Sequence, residues 1–201
     1  FTDGGKMHQV KVPDLPYGKF RDKGTPIDNV SNYSSAEEQI VMVCDAEQMR
    51  FAKLLFATKQ GMIKRVEGTE FQVAKRTIAA TKLQEEDALI GVWVVNEIQH
   101  AVLQTKNGYF LRFPAADIPE KKKGAVGVRG IRLQKNDELE QVYLFEEGTE
   151  SKVMYGEKEV TAPARILTST VRVKDGVCPV VSVKTASDIP KGQLLECMKI
   201  L

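Results

Sequence analysis

Thr58-Lys59-Gln60-Gly61-Met62-Ile63-Lys64-Arg65 and Thr105-Lys106-Asn107-Gly108-Tyr109-Phe110-Leu111-Arg112 are two copies of one pattern, Thr-Lys-x-Gly with an arginine four residues after the glycine. In both, a polar turn ending in glycine separates short β-prone runs, and glycine takes the positive φ that a tight hairpin needs. The two glycines stand 47 residues apart. Thr2-Asp3-Gly4-Gly5-Lys6-Met7-His8-Gln9 is an earlier copy, and Tyr155-Gly156-Glu157-Lys158 is a candidate fourth, 48 residues beyond Gly108. Further anchors keep the same order. Ten residues after Gly5, Gly61 and Gly108 come Leu15, Phe71 and Ile118, each preceded by an acid (Asp14, Glu70, Asp117). Leu83-Gln84-Glu85-Glu86-Asp87-Ala88-Leu89 matches Leu133-Gln134-Lys135-Asn136-Asp137-Glu138-Leu139 at an offset of 50, which places a short insertion near Lys121-Lys122-Lys123.

Between the anchors the pattern is that of strands. Val92-Trp93-Val94-Val95, Ala101-Val102-Leu103-Gln104 and Val142-Tyr143-Leu144-Phe145 are short β-prone runs, and no window reads as a capped amphipathic helix. A period of about 50 residues with roughly four strands per unit predicts an all-β, propeller-like array, because a single unit cannot bury its faces without its neighbours. The 201 residues hold about four such units, roughly 1–52, 53–100, 101–150 and 151–201, forming one bladed domain. Trp93, Phe71, Phe110, Phe113, Tyr143 and Phe145 fall in strand-like runs and are expected in the core rather than on a base-stacking surface.

The net charge is only +2, but its distribution follows the repeat. Residues 58–82 hold six basic side chains against two acids, and residues 105–132 hold seven against two. Residues 83–104 and 133–151 reverse the sign. Equivalent basic segments should therefore recur around the array as a belt, the arrangement a phosphate backbone rewards through counterion release. On this reading the candidate DNA-binding residues are Lys59, Lys64, Arg65, Lys75, Arg76, Lys106, Arg112, Lys121, Lys122, Lys123, Arg129 and Arg132. Lys123-Gly124-Ala125-Val126-Gly127-Val128-Arg129-Gly130 reads either as a tight loop whose backbone N–H groups approach phosphates or as a loop that simply needs unusual φ. A lysine run of this kind also occurs as a plain solvated loop.

Other functional classes find little footing. There is no phosphate-binding Gly-x-x-x-x-Gly-Lys-Ser/Thr, and the glycines at 124, 127 and 130 lack both the spacing and the strand–helix setting of a dinucleotide site. Cys44, Cys178 and Cys197 are scattered and odd in number, and His8 and His100 are isolated, which leaves no metal site; Cys44 reads as a reduced thiol in an apolar strand. No apolar run is long enough for a membrane span. The chain opens Phe1-Thr2-Asp3 without a signal peptide and reads as an excised piece of a longer cytoplasmic protein. No catalytic residue and no cofactor are expected. The acids lie in the Leu83–Leu89 and Leu133–Leu139 turns, not as the converging carboxylate pair a propeller glycosidase would need. The alternative to a DNA-binding domain is a protein-binding propeller that uses its acidic turns.

The order Thr-x-x-Gly-x-x-x-Arg, a basic Gly-rich loop, Gly130-Ile131-Arg132-Leu133 and the acidic Asn136-Asp137-Glu138-Leu139 resembles a known repeat. It is similar to that of the C-terminal domain of the A subunits of bacterial type IIA topoisomerases, DNA gyrase and topoisomerase IV. Val10-Lys11-Val12-Pro13-Asp14-Leu15-Pro16 with Gly24-Thr25-Pro26-Ile27 resembles an early blade of that domain. The resemblance implies a β-pinwheel whose basic rim wraps and bends duplex DNA and presents it to the cleavage core. The partners it implies are a second A subunit plus the ATPase B subunit, in a nucleoid-associated setting. The active tyrosine and the ATPase would lie outside this chain, whose parent would be an ATP-dependent topoisomerase. The gyrase box, Gln-Arg-Arg-Gly-Gly-Lys-Gly, is absent; Glu120-Lys121-Lys122-Lys123-Gly124-Ala125-Val126-Gly127 holds a comparable place but departs from it. Residues 151–201 fit the repeat poorly, with Val160 in the place of the arginine.

Overall fold

The computed structural model describes residues 1–147, 152–162 and 171–172. Among the described residues twelve strands carry the architecture: β1 (Lys6–His8), β2 (Lys53–Thr58), β3 (Met62–Glu67), β4 (Thr77–Ala79), β5 (Leu89–Val95), β6 (Gln99–Thr105), β7 (Tyr109–Pro114), β8 (Val128–Arg129), β9 (Leu139–Glu146), β10 (Lys152–Tyr155), β11 (Lys158–Thr161) and β12 (Val171–Arg172). One short helix, α1 (Ala46–Arg50), starts at Asp45, whose carboxylate accepts hydrogen bonds from the N–H groups of Glu47 and Gln48. No helix among the described residues is long and apolar enough to cross a membrane.

The repeated motif builds the same hairpin each time. Gly61 and Gly108 turn β2 into β3 and β6 into β7 at φ of 79° and 80°. The threonine hydroxyl closes each turn: Met62 N–H donates to Thr58 Oγ1 at 3.2 Å, and Tyr109 N–H to Thr105 Oγ1 at 3.1 Å. The acid-rich turns latch onto these hairpins. Asp87 Oδ1 accepts from the N–H groups of Gln60 and Ala88, and Asp137 Oδ1 from those of Asn107 and Glu138, all at 2.9–3.0 Å. An aspartate at that place is therefore a fixed part of the repeat rather than loose surface charge.

Two four-stranded antiparallel sheets result, in the orders β5-β2-β3-β8 and β9-β6-β7-β12. Each takes three strands from one repeat and its outermost strand from the next. In the first repeat, β1 likewise pairs with β4, supplied by the second. The exchange is periodic in detail: Ala80 N–H donates to Gly5 O as Gly130 N–H donates to Gly61 O. β5 packs beside β9, so β4, β8 and β12 all close the edge that faces away from that contact.

Packing the sheets face to face buries both surfaces of the central strands. Leu54 through Thr58 are all buried, as are Ala101 through Thr105. One core joins the two sheets through Leu55, Ile63, Leu103, Phe110, Phe113 and Ile118. A second surrounds Phe1, Phe56 and Phe71, whose rings meet at 5.2–5.7 Å. Burial of side chains of this size contributes about 1.5–3 kcal/mol each, which is what holds the blades together. Trp93, Tyr143 and Phe145 are half-buried against the first core, with Tyr143 and Phe145 stacked.

Two expectations from the sequence are adjusted. Cys44 is exposed and lies in irregular backbone before α1 rather than in a strand, because no strand among the described residues pairs with Val43 and Cys44. The fourth unit expected over 151–201 is described only in the β10–β11 hairpin around Gly156 and in the pairing of β12 with β7; the rest of it, with Cys178 and Cys197, lies outside the described residues.

Candidate nucleic-acid interface

The twelve basic residues singled out from the sequence divide sharply by burial. Lys64, Arg65 and Arg112 turn inward, with exposures of 1%, 6% and 0%, so the expectation that they contact phosphate is corrected. They sit on strands covered on both faces, where a cation must find protein acceptors. Arg65 donates from Nε to Ile118 O at 2.7 Å and from a terminal nitrogen to Ala116 O at 3.1 Å, while its backbone pairs with Pro119 and Lys121. Arg65 is thus a clamp from one blade to the turn of the next. Arg112 donates to His100 Nδ1 at 3.2 Å and to Glu146 O at 2.8 Å. Burial, with the guanidinium beside it, pushes the His100 pKa down and keeps its ring a neutral acceptor.

Lys64 organises the Gly-rich loop. Its ammonium donates to Lys123 O and Ala125 O at 2.7 Å each and to Lys122 O at 3.3 Å, with the Phe56 ring beneath it at 5.3 Å. Burial pulls its pKa down to about 8 against the opposing field of Glu70. Glu70 secures the other side, accepting from Lys123 N–H at 2.9 Å and pairing with Lys122 at 2.9 Å; both hold its carboxyl below the ordinary range. The loop therefore turns three carbonyls inward onto a cation, and the N–H groups of Lys121, Lys123 and Ala125 are already bonded within the protein. Its outward chemistry is carried by side chains.

The remaining candidates are at or near the surface. Lys59, Lys75, Lys121, Arg129 and Arg132 are exposed. Arg76, Lys106 and Lys122 are exposed but paired, with Asp14, Glu138 and Glu70 respectively, and Lys123 is half-buried with its ammonium on Glu70 O. Screened pairs of this kind exchange readily for another anion. Lys75 and Arg76 lead into β4, Lys121 and Lys122 lead toward β8, Arg129 lies on it, and Arg132 follows it. Lys82 stands where Arg132 does in the next repeat and is also exposed. Equivalent cations thus recur at the sheet edge away from the β5–β9 contact. Lys59 and Lys106 lie apart, in the hairpin turns beside the acidic latches.

Sequence reasoning passed over a third equivalent segment. Around the Asp14-Leu15 anchor, residues 11–26 are exposed throughout and carry Lys11 before it and Lys19, Arg21 and Lys23 after it, with Tyr17 and Phe20. The available signal was the anchor itself, since the same acid–apolar pair precedes the basic segments of the next two repeats.

Antiparallel blades that exchange their outer strands, with cations recurring at that edge, define a bladed all-β module of the propeller class. Residues 52–96 and 99–146 match the family model described as DNA gyrase C-terminal domain, beta-propeller. The chain is 35% identical over 149 residues to the DNA gyrase A subunit of Lawsonia intracellularis and 34% identical over 140 residues to that of Deinococcus deserti, covering 73% and 69% of this chain. It spans 18% and 17% of those relatives, less than a fifth of their length. Among solved structures, the C-terminal domain of DNA topoisomerase IV superposes with a TM-score of 0.74 at 24% identity, over 92% of this chain and 58% of that one. The DNA gyrase A C-terminal domain superposes with a TM-score of 0.64 at 19% identity, over 100% of this chain and 64% of that one. The chain belongs to the family of the C-terminal β-pinwheel domain of type IIA topoisomerase A subunits. Residues 153–201 match a different family model, a protein of unknown function (DUF1667).

Proposed function

We propose that this domain binds duplex DNA without sequence specificity along the edge closed by β4 and β8, bends it there, and in the full topoisomerase presents it to the cleavage core. The observation that carries this is the recurrence of exposed cations at equivalent places on that one edge: Lys75, Arg76 and Lys82 from one repeat, Lys121, Arg129 and Arg132 from the next, with the basic loop of residues 11–26 ahead of them. Smooth bending of a short duplex costs on the order of 1–6 kcal/mol, which repeated phosphate contacts offset. No helix among the described residues is placed to enter a major groove, so the proposed readout is of backbone and shape. The proposed setting is a bacterial nucleoid. The proposed protein partners are a second A subunit plus the ATPase B subunit, with catalysis on those other parts of the enzyme.

The test is duplex binding across a range of salt by the wild type and by a variant with Lys75, Lys82, Lys121, Arg129 and Arg132 changed to Glu. These side chains are exposed, so the fold is kept, unlike in variants of Lys64, Arg65 or Arg112. Loss of binding with loss of the salt slope supports the proposal. Unchanged binding removes it and favours a protein partner on the acidic turns.

A further inference from the structure

Two basic segments of the edge are wound on different centres. In the segment after Phe71, the Gln9 amide donates from Nε2 to Val73 O at 2.8 Å and to Lys75 O at 3.1 Å, and the Gln9 N–H donates to Arg76 O at 2.7 Å. In the segment after Ile118, the centre is the Lys64 ammonium, which serves the carbonyls of Lys122, Lys123 and Ala125. The amide has no proton to lose, whereas the ammonium has one. His8 takes the place of Lys64 in the first repeat and meets the Thr77 hydroxyl at 3.0 Å, and the buried Leu111 takes it in the third. Both segments end in exposed cations, Lys75, Arg76 and Lys82 in one and Lys121, Arg129 and Arg132 in the other.

The surroundings of Lys64 fix what its proton controls. Glu70, from the turn Gly68–Phe71, is the charged side chain whose field reaches it, and that field favours the charged form. Lys122 and Lys123 face Lys64 through their carbonyls and direct their own ammoniums onto Glu70. β2 contributes the uncharged Phe56 ring. Burial outweighs Glu70 and brings Lys64 to about 8, while Glu70 is held below the ordinary range and stays ionised above it. Deprotonation leaves two N–H donors for three carbonyls and removes the charge that draws them inward.

We propose that Lys64 is a positioning residue for DNA contact by residues 121–132: its ammonium holds the loop in the shape that sets Lys121, Arg129 and Arg132 along the edge, whereas residues 75–82 are set independently of it. This rests on the duplex-binding reading above. The bound duplex then favours the protonated form of Lys64, so affinity is full below pH 8 and declines as pH rises past it. One linked proton limits the decline between pH 7 and pH 9 to about tenfold.

The experiment measures affinity for a duplex of about 150 base pairs at pH 7, 8 and 9 and constant ionic strength. It compares the wild-type chain with Lys121→Gln/Arg129→Gln/Arg132→Gln, with Lys75→Gln/Arg76→Gln/Lys82→Gln and with Lys64→Met, and thermal unfolding gives the folded fraction of each at each pH. Titrating groups elsewhere contribute alike to all four proteins and cancel. The expected result is a threefold to tenfold fall for the wild type, the same fall from a weaker starting affinity for the 75–82 variant, and a flat profile for the 121–132 variant. Lys64→Met is flat too, near the affinity that the wild type has at pH 9. A full fall in the 121–132 variant overturns the proposal, since the Lys64 charge would then act on DNA through space without the loop. A flat wild-type profile also overturns it. If both triple variants bind more weakly at pH 7 in either case, duplex binding at the edge stands and the role of Lys64 alone falls. If neither binds more weakly at pH 7, the edge reading falls and takes this one with it.

Discussion

The Lys64 ammonium lies 2.7 Å from the Ala125 carbonyl oxygen, so a cation from the middle of one blade's strand is the hub around which the next repeat's basic loop is wound. The same ammonium holds Lys123 O and Lys122 O, and the loop then hands the chain to β8 and Arg129. A charge that looked from the sequence like a phosphate contact thus acts one step behind the surface.

Replacing Lys64 by Met keeps most of the stem's volume and leaves those carbonyls without their donor, a loss of about 1–3 kcal/mol. The pH dependence has a definite sign. With a folded pKa near 8, below the 10.5 of ordinary lysine, Lys64 binds fewer protons in the fold than in the unfolded chain between those values. Stability therefore rises with pH from about 8 to about 10.5 through this group, and the Met variant lacks that rise. Urea midpoints of both proteins at pH 7.5, 9 and 10 measure it, and parallel pH profiles for the two would refute it.

Arg65→Met orphans the carbonyls of Ala116 and Ile118 at the junction between blades. The expected cost is about 2–4 kcal/mol, seen as a lower unfolding midpoint. The salt slope of DNA binding by the folded fraction stays at the wild-type value, because a buried clamp releases no counterions. A slope reduced by about one would return Arg65 to the interface.

Gly61→Ala meets two obstacles. The residue has φ of 79°, and a Cβ would stand 3.0 Å from Ile131 Cγ2. A loss of about 1–3 kcal/mol follows. Gly124→Ala, at a position with open space around it and no positive φ, should change the melting temperature little, and comparison of the two by calorimetry checks the assignment of the turn.

Much of the fold was legible because the repeat is written in backbone-determining residues. Thr58 and Thr105, Gly61 and Gly108, and Asp87 and Asp137 each perform a turn function that few other residue types can, so their spacing carried the bladed architecture. The strand exchange was not legible, since β4 and β8 are only three and two residues long and have no periodicity of their own. The division of the basic residues by burial was not legible. Exposed Lys121, Arg129 and Arg132 and buried Lys64, Arg65 and Arg112 have the same charge, and composition cannot separate them. What does separate them is setting: Lys64 and Arg65 lie between Ile63 and Val66, and Arg112 between Leu111 and Phe113, in strands without polar alternation. In a sheet covered on both faces, such a cation points into protein.

The most direct measurement is the salt dependence of binding to a duplex of about 150 base pairs, comparing the wild type with the variant carrying Lys75, Lys82, Lys121, Arg129 and Arg132 as Glu. The account predicts a steep slope for the wild type, near −0.9 per phosphate neutralised, and its collapse in the variant at unchanged thermal stability. Equal affinity and slope in the two proteins would contradict it.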